Sequence, residues 1–167
     1  MRKVRYAIIA ILVSLLVRVA FAEQDMQRVD YLSDSIAEKE GKYIRLLGGS
    51  QWVLSSSTLA LVTDDIIIVL KTYGSEKSGV AYVDGDELTA KHIGGQIFSQ
   101  TGYLTTVIES LGDGAVLKMA DASLVSVPMY DQYHSRYWLA PYKALISSSK
   151  THLWNLKKGK RISINAR

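Results

Sequence analysis

The chain has 167 residues, 22% of them charged, with two prolines and no cysteine. The lack of cysteine excludes disulfides, thiolate nucleophiles and cysteine-bearing metal sites. The formal net charge of +4 is no argument for nucleic acid, because Arg2, Lys3, Arg5 and Arg18 supply all of it.

Residues 1–22 have the layout of a secretory leader: a basic start, an apolar run from Ala7 to Val17 and a small-x-small site at Ala20-Phe21-Ala22. The run is short of the roughly 20 residues that a helix needs to cross a bilayer. Cleavage after Ala22 is expected, giving a periplasmic or secreted protein; an uncleaved leader would anchor it in the inner membrane. Cysteine-free export fits a bacterial envelope. Beyond the leader the charge is balanced but polar in its distribution. Residues 23–131 carry 16 acids and 8 bases, and residues 132–167 carry 8 bases and no acid.

Residues 23–41 read as a short helix, with Met26, Val29, Leu32 and Ile36 on one face and Gly41 as its terminator. From Tyr43 the period changes to two. YIRLL, SQWVL and TLALV are predicted strands, and IIIVL after Asp64-Asp65 reads as a strand buried on both faces. GVAYV and ELTAKHI flank Asp84-Gly85, a strong hairpin signal. Gly94-Gly95 closes a unit of residues 42–95.

A second unit, residues 96–167, repeats the pattern. TTVIESL-GDG-AVLKM sets Gly112 on Gly48 and Val116-Leu117 on Val53-Leu54, at offsets of about 63 to 65 residues. YKALI then corresponds to IIIVL, and LWNLKKGKRISI to AYVDGDELTA. The fold class expected is mainly β: two tandem small antiparallel barrels, related by duplication, after one short helix. A single mixed sandwich or barrel domain is the alternative. The pattern G-D-G-x-V-L…S-L…V…W…L-I…L-W-N-L-x-x-G-x-x-I resembles the SH3-like small barrels of uncharacterised exported bacterial proteins. The resemblance is architectural and implies no ligand, since neither the ALYDY-type peptide motif nor the Gly-Trp pairs of wall-anchoring modules occurs.

No catalytic constellation is visible. The serines cluster in turns, and no G-x-S-x-G elbow occurs. His92, His134 and His152 lack metal-ligand spacing, and Asp84, Asp86, Glu87 and Asp113 fit tight turns rather than a calcium loop. The chain is therefore read as a non-enzyme, with no cofactor expected.

The aromatic loop, residues 128–142, is the leading candidate surface: Tyr130, Tyr133, His134, Arg136, Tyr137, Trp138 and Tyr142 combine apolar bodies with polar tips. Plugging a barrel end is the competing role, favoured for Trp138. Lys157, Lys158, Lys160 and Arg161 form a candidate basic surface, with docking onto the acidic first unit as the blander alternative. The expected function is an exported, non-enzymatic binding module with an envelope protein or glycan as partner. No nucleic acid is expected, and the membrane is met only through the leader. The alternatives are an envelope hydrolase or inhibitor using Asp131 with His134, and an anionic-surface binder using the basic hairpin.

Overall fold

A computed structural model describes residues 26–73 and 76–166; the expected leader, residues 1–22, lies outside the described residues. The protein is mainly β, with a closed six-stranded antiparallel barrel, further strands and one short helix. The barrel strands are β1 (Gln27–Glu40), β2 (Tyr43–Leu46), β3 (Gln51–Leu54), β4 (Asp65–Tyr73), β5 (Glu76–Val83) and β6 (Asp86–Gly94). Their ladders run β1-β2-β3-β6-β5-β4 and return to β1. Closure leaves the barrel no free edge, as a small cysteine-free domain requires.

The expected N-terminal helix is overturned: residues 27–40 are β1, the longest strand. Val29, Leu32 and Ile36 do have helical spacing, but two faces of a strand explain their burial better. Leu32 and Ile36 enter the barrel core, whereas Tyr31 is fully buried on the opposite face. Tertiary partners on both edges override the local periodicity. Gly41 is accordingly a turn residue (φ +57°) between β1 and β2, not a helix terminator. TLALV is not a strand either; it crosses from β3 to β4, with Ala60 tucked into the core.

IIIVL behaves as expected within β4. Ile66 and Ile68 point into the barrel, and Ile67 and Val69 point out into a second apolar layer. Asp84 and Gly85 both have positive φ (+46° and +86°), the conformation a two-residue hairpin between right-twisted strands demands.

The chain continues through β7 (Gln100–Leu111), β8 (Val116–Met119), β9 (Leu124–Ser126), α1 (Met129–Ser135), β10 (Tyr142–Ser147), β11 (His152–Asn155), β12 (Lys160–Ser163) and β13 (Asn165–Ala166). On one side β7 pairs with β8, then β9, then β13; on the other it pairs with β10, then β11, then β12. The two paths meet where β12 runs on through Ile164 into β13. Val107, Leu117, Met119, Trp138, Leu153 and Ile162 lie in the core they enclose.

The two parts share one sheet. Residues Gln27–Tyr31 pair antiparallel with Gln100–Leu104, centred on Val29 opposite Gly102. Beside this ladder lies the outward apolar layer: Tyr31, Ile67, Val69 and Tyr82 meet Leu145, Trp154 and Leu156. The rings of Tyr31 and Trp154 pack edge to face at 5.4 Å. Gly102 permits the approach, since a Cβ there would lie 2.9 Å from Cε1 of Tyr31 and 2.6 Å from the Ile146 carbonyl oxygen.

Candidate functional site

The aromatic loop contains α1, and the helix is fastened along one side. The Asp131 carboxylate accepts a hydrogen bond from the Ser163 backbone N–H on β12 (2.6 Å). The Gln132 side-chain amide donates to the Val127 carbonyl (2.9 Å), and the buried Ser135 hydroxyl donates to the Gly114 carbonyl (2.8 Å). Residues 131, 132 and 135 share one helical face, so their fastening turns the others outward. Tyr130, Tyr133 and Tyr137, at spacings of three and four, are exposed. Met129 and Leu139 bracket them at 84% and 88% exposure.

These side chains form a ledge rather than a scatter. The Tyr133 ring meets Tyr137 edge to face at 5.7 Å and His134 at 5.6 Å. The Arg136 guanidinium lies 5.4 Å from the Tyr137 ring centroid, within cation–π range. Because the helix is already held, these aromatic faces are preformed, and covering them would cost little ordering entropy.

Two members of the candidate set belong to the interior. Trp138 and Tyr142 are both 95% buried and face each other edge to face at 5.8 Å inside the core of the second part. The interior place was expected for Trp138; Tyr142 was not separable from the ledge by sequence, because all of these rings occur within one loop. The Tyr142 hydroxyl is buried without a hydrogen-bond partner among the described residues, and burial pushes its pKa up strongly.

Asp131 and His134 are not brought together. The Asp131 carboxylate is committed to β12, while His134 is exposed against the Tyr133 ring. His92 leans on Trp52 at 5.0 Å with Nε2 3.1 Å from the Gly95 carbonyl oxygen, and His152 Nδ1 is 3.0 Å from the Thr151 hydroxyl. Among the described residues, no three His, Asp or Glu side chains converge on a point that could hold a metal ion.

The basic stretch divides in two. Lys143 pairs with Glu87 of the first part at 2.9 Å, across a cleft of about 250 Å³ lined by Tyr82, Asp86, Pro141 and Lys157. The hydrogen bond to Glu87 raises the Lys143 pKa; burial first, and then Glu87, raises that of Tyr82. Part of the basic charge is thus spent within the molecule. Lys157, Lys158, Lys160 and Arg161 are exposed, and none has an ion-pair partner among the described residues. Lys160 and Arg161 lie on β12, the strand against which α1 packs, so the two candidate surfaces adjoin.

Sequence reasoning passed over Met129 and Leu139 as members of the ledge. The available signal was their polarity mismatch: large apolar residues in a loop whose core place is already taken by Trp138. Comparison with protein-family models, curated proteins and solved structures returns no match to this chain.

Proposed function

We propose that this protein is an exported, non-enzymatic binding module of a bacterial envelope, built from two copies of one small SH3-like barrel. The contact surface is the tyrosine ledge of the second copy. Export rests on the leader-like residues 1–22.

Three coincidences support the duplication. A register shift lies between Ile36 and Glu38 in the β1–β2 ladder, and another between Val107 and Glu109 in the β7–β8 ladder. An ion pair follows each: Arg45 with Glu38 at 2.8 Å and Lys118 with Glu109 at 3.6 Å. Gly41 and Gly112 then open the turns with φ of +57° and +56°. The offset is therefore about 71 residues along the long strands, instead of 63 to 65. Gly112 corresponds to Gly41, not Gly48. Bulges are features that families keep, which gives the coincidence its weight.

The observation that carries the functional reading is the ledge: three exposed tyrosines and an arginine on a helix fastened from behind. Tyr and Arg are the residues that dominate binding energy at contact surfaces. The test is retention on envelope fragments of the producing cell. Wild-type protein is expected to sediment with them, and Tyr133→Ala/Arg136→Ala is expected to remain in the supernatant. Both side chains are exposed, so the variant should keep the wild-type melting temperature. Equal sedimentation of the two proteins would remove the ledge from consideration.

A further inference from the structure

We infer that the ledge docks onto the surface of an anionic phospholipid bilayer. This rests on the binding-module reading above and names its partner. It goes beyond the expectation that the chain meets the membrane only through its leader.

Two side chains beside the tyrosines are ones the fold does not need. Met129 and Leu139 are 84% and 88% exposed, although Trp138 already fills the barrel beside them. A sugar partner would be met by the tyrosine faces and gives no reason for these aliphatic ends. A bilayer gives one. Aliphatic side chains reach the acyl boundary, tyrosines sit at headgroup depth with their hydroxyls in the wet layer, and cations pair with the phosphates. Met129, Tyr130, Tyr133, Tyr137 and Leu139 supply the first two layers from one short rigid segment.

Charge supplies the third. Arg136 lies within the ledge, and Lys160 and Arg161 are exposed on the adjoining β12. No acid occurs after Asp131, and the Asp131 carboxylate is turned inward onto the Ser163 N–H. Two exposed acids, Asp113 on the turn beside Gly114 and Asp84 against Gly159 before β12, weaken this bias without cancelling it. Cations held near an anionic leaflet each strengthen binding about fivefold. A protein partner would need neither a net positive rim nor an aliphatic tip at each end.

The first part of the molecule provides an internal control. Leu59 is 86% exposed on the crossover that corresponds to the ledge, flanking a buried Ala60 as Tyr137 and Leu139 flank Trp138. Its nearest cation, Lys39, is tied to the Thr58 and Ala60 carbonyls, and Asp64 and Asp65 stand at the end of the same crossover, so no uncommitted cation accompanies it there. Apolarity alone would make both crossovers bind; the combination with cations not already tied to the crossover selects the second.

The experiment is co-sedimentation with extruded vesicles of equimolar phosphatidylglycerol and phosphatidylcholine, against pure phosphatidylcholine. Wild type is expected to prefer the anionic vesicles by at least about tenfold, with the preference falling as salt rises. Leu139→Asp is expected to reduce anionic-vesicle binding about tenfold. Arg136→Glu/Lys160→Glu is expected to abolish the preference over phosphatidylcholine. Leu59→Asp should match wild type. All four sites are exposed, and unchanged near-ultraviolet dichroism confirms that the variants are folded. Anionic-vesicle binding untouched by Leu139→Asp, or weakened equally by Leu59→Asp, overturns the inference. So does absence of vesicle binding. If the protein ignores vesicles yet still sediments with envelope fragments through Tyr133 and Arg136, the partner is another envelope component. The bilayer inference then fails and the binding-module reading stands.

Discussion

The first barrel and the strands that follow residue 96 run the same order of ladders around differently filled centres. Between β3 and β4 the crossover places Ala60 inside, and Lys39 holds the segment by donating to the Thr58 and Ala60 carbonyls at 2.6 and 2.7 Å. Between β9 and β10 the crossover is longer and carries a helix, Trp138 goes inside, and Ser135 holds the segment through Gly114. A small plug on a short, ammonium-tied strap leaves little to present. A large plug on a helical strap frees the neighbouring rings to face solvent. The lesson is that one crossover can serve both closure and contact, provided that closure is delegated to a single side chain.

The largest expected effect tests that delegation. Trp138→Ala should destabilise the protein by ~3–5 kcal/mol, the usual range for emptying a buried tryptophan site. Tyr137→Ala, one residue away, should change stability by less than about 0.5 kcal/mol. Urea unfolding of both variants decides it; comparable losses would mean that the ledge is structural. A smaller effect is expected at the shared ladder. Gly102→Ala forces a methyl against Tyr31 and the Ile146 carbonyl, and overpacking of this kind destabilises by ~1–3 kcal/mol. A single cooperative transition at lower denaturant would show the two parts failing together, whereas two separated transitions would show the seam to be dispensable.

The smallest effect concerns Tyr142. Its hydroxyl is buried and unpartnered among the described residues, so Tyr142→Phe should be neutral or stabilising by up to ~1 kcal/mol at neutral pH. The pH dependence has a definite sign. In the unfolded chain a tyrosine ionises near pH ~10. Burial raises the folded value, so the stabilisation is complete below pH ~10 and is lost as pH rises through the folded pKa. The Phe variant should lose stability less steeply above pH ~10. The loss will not vanish, because Tyr31 and Tyr82 are shifted in the same direction. Identical alkaline melting curves for the two proteins would contradict the burial of Tyr142.

Much of the fold was legible where one residue pattern had one physical solution. Ile66 to Val69 is a continuous apolar run too short for a buried helix, and it became a strand with both faces covered. Asp84-Gly85 has the backbone freedom that a tight hairpin needs, and it became one. The failures arose where two patterns coincide. Val29, Leu32 and Ile36 suit a helix face, but they also suit a strand that buries opposite faces against two cores. Only the partner strands decide between them, and those lie as far off as Gly102, the partner of Val29. The ledge was legible as a neighbourhood, not residue by residue. Whether Tyr142 or Tyr137 turns inward depends on β7 and β10 pairing Val107 with Tyr142, which no local window contains.

The antiparallel pairing of Gln27–Tyr31 with Gln100–Leu104 also bears on how the chain comes off the ribosome. Each ladder of the first barrel can form once Gly94 is made, yet its outer wall then carries Tyr31, Ile67, Val69 and Tyr82 with nothing against them. The covering residues Leu145, Trp154 and Leu156 arrive last, more than 50 residues later. During that interval the nascent protein is a closed barrel with an adhesive side. A chain truncated after Gly95 keeps that side bare, and is therefore expected to self-associate where the full chain does not.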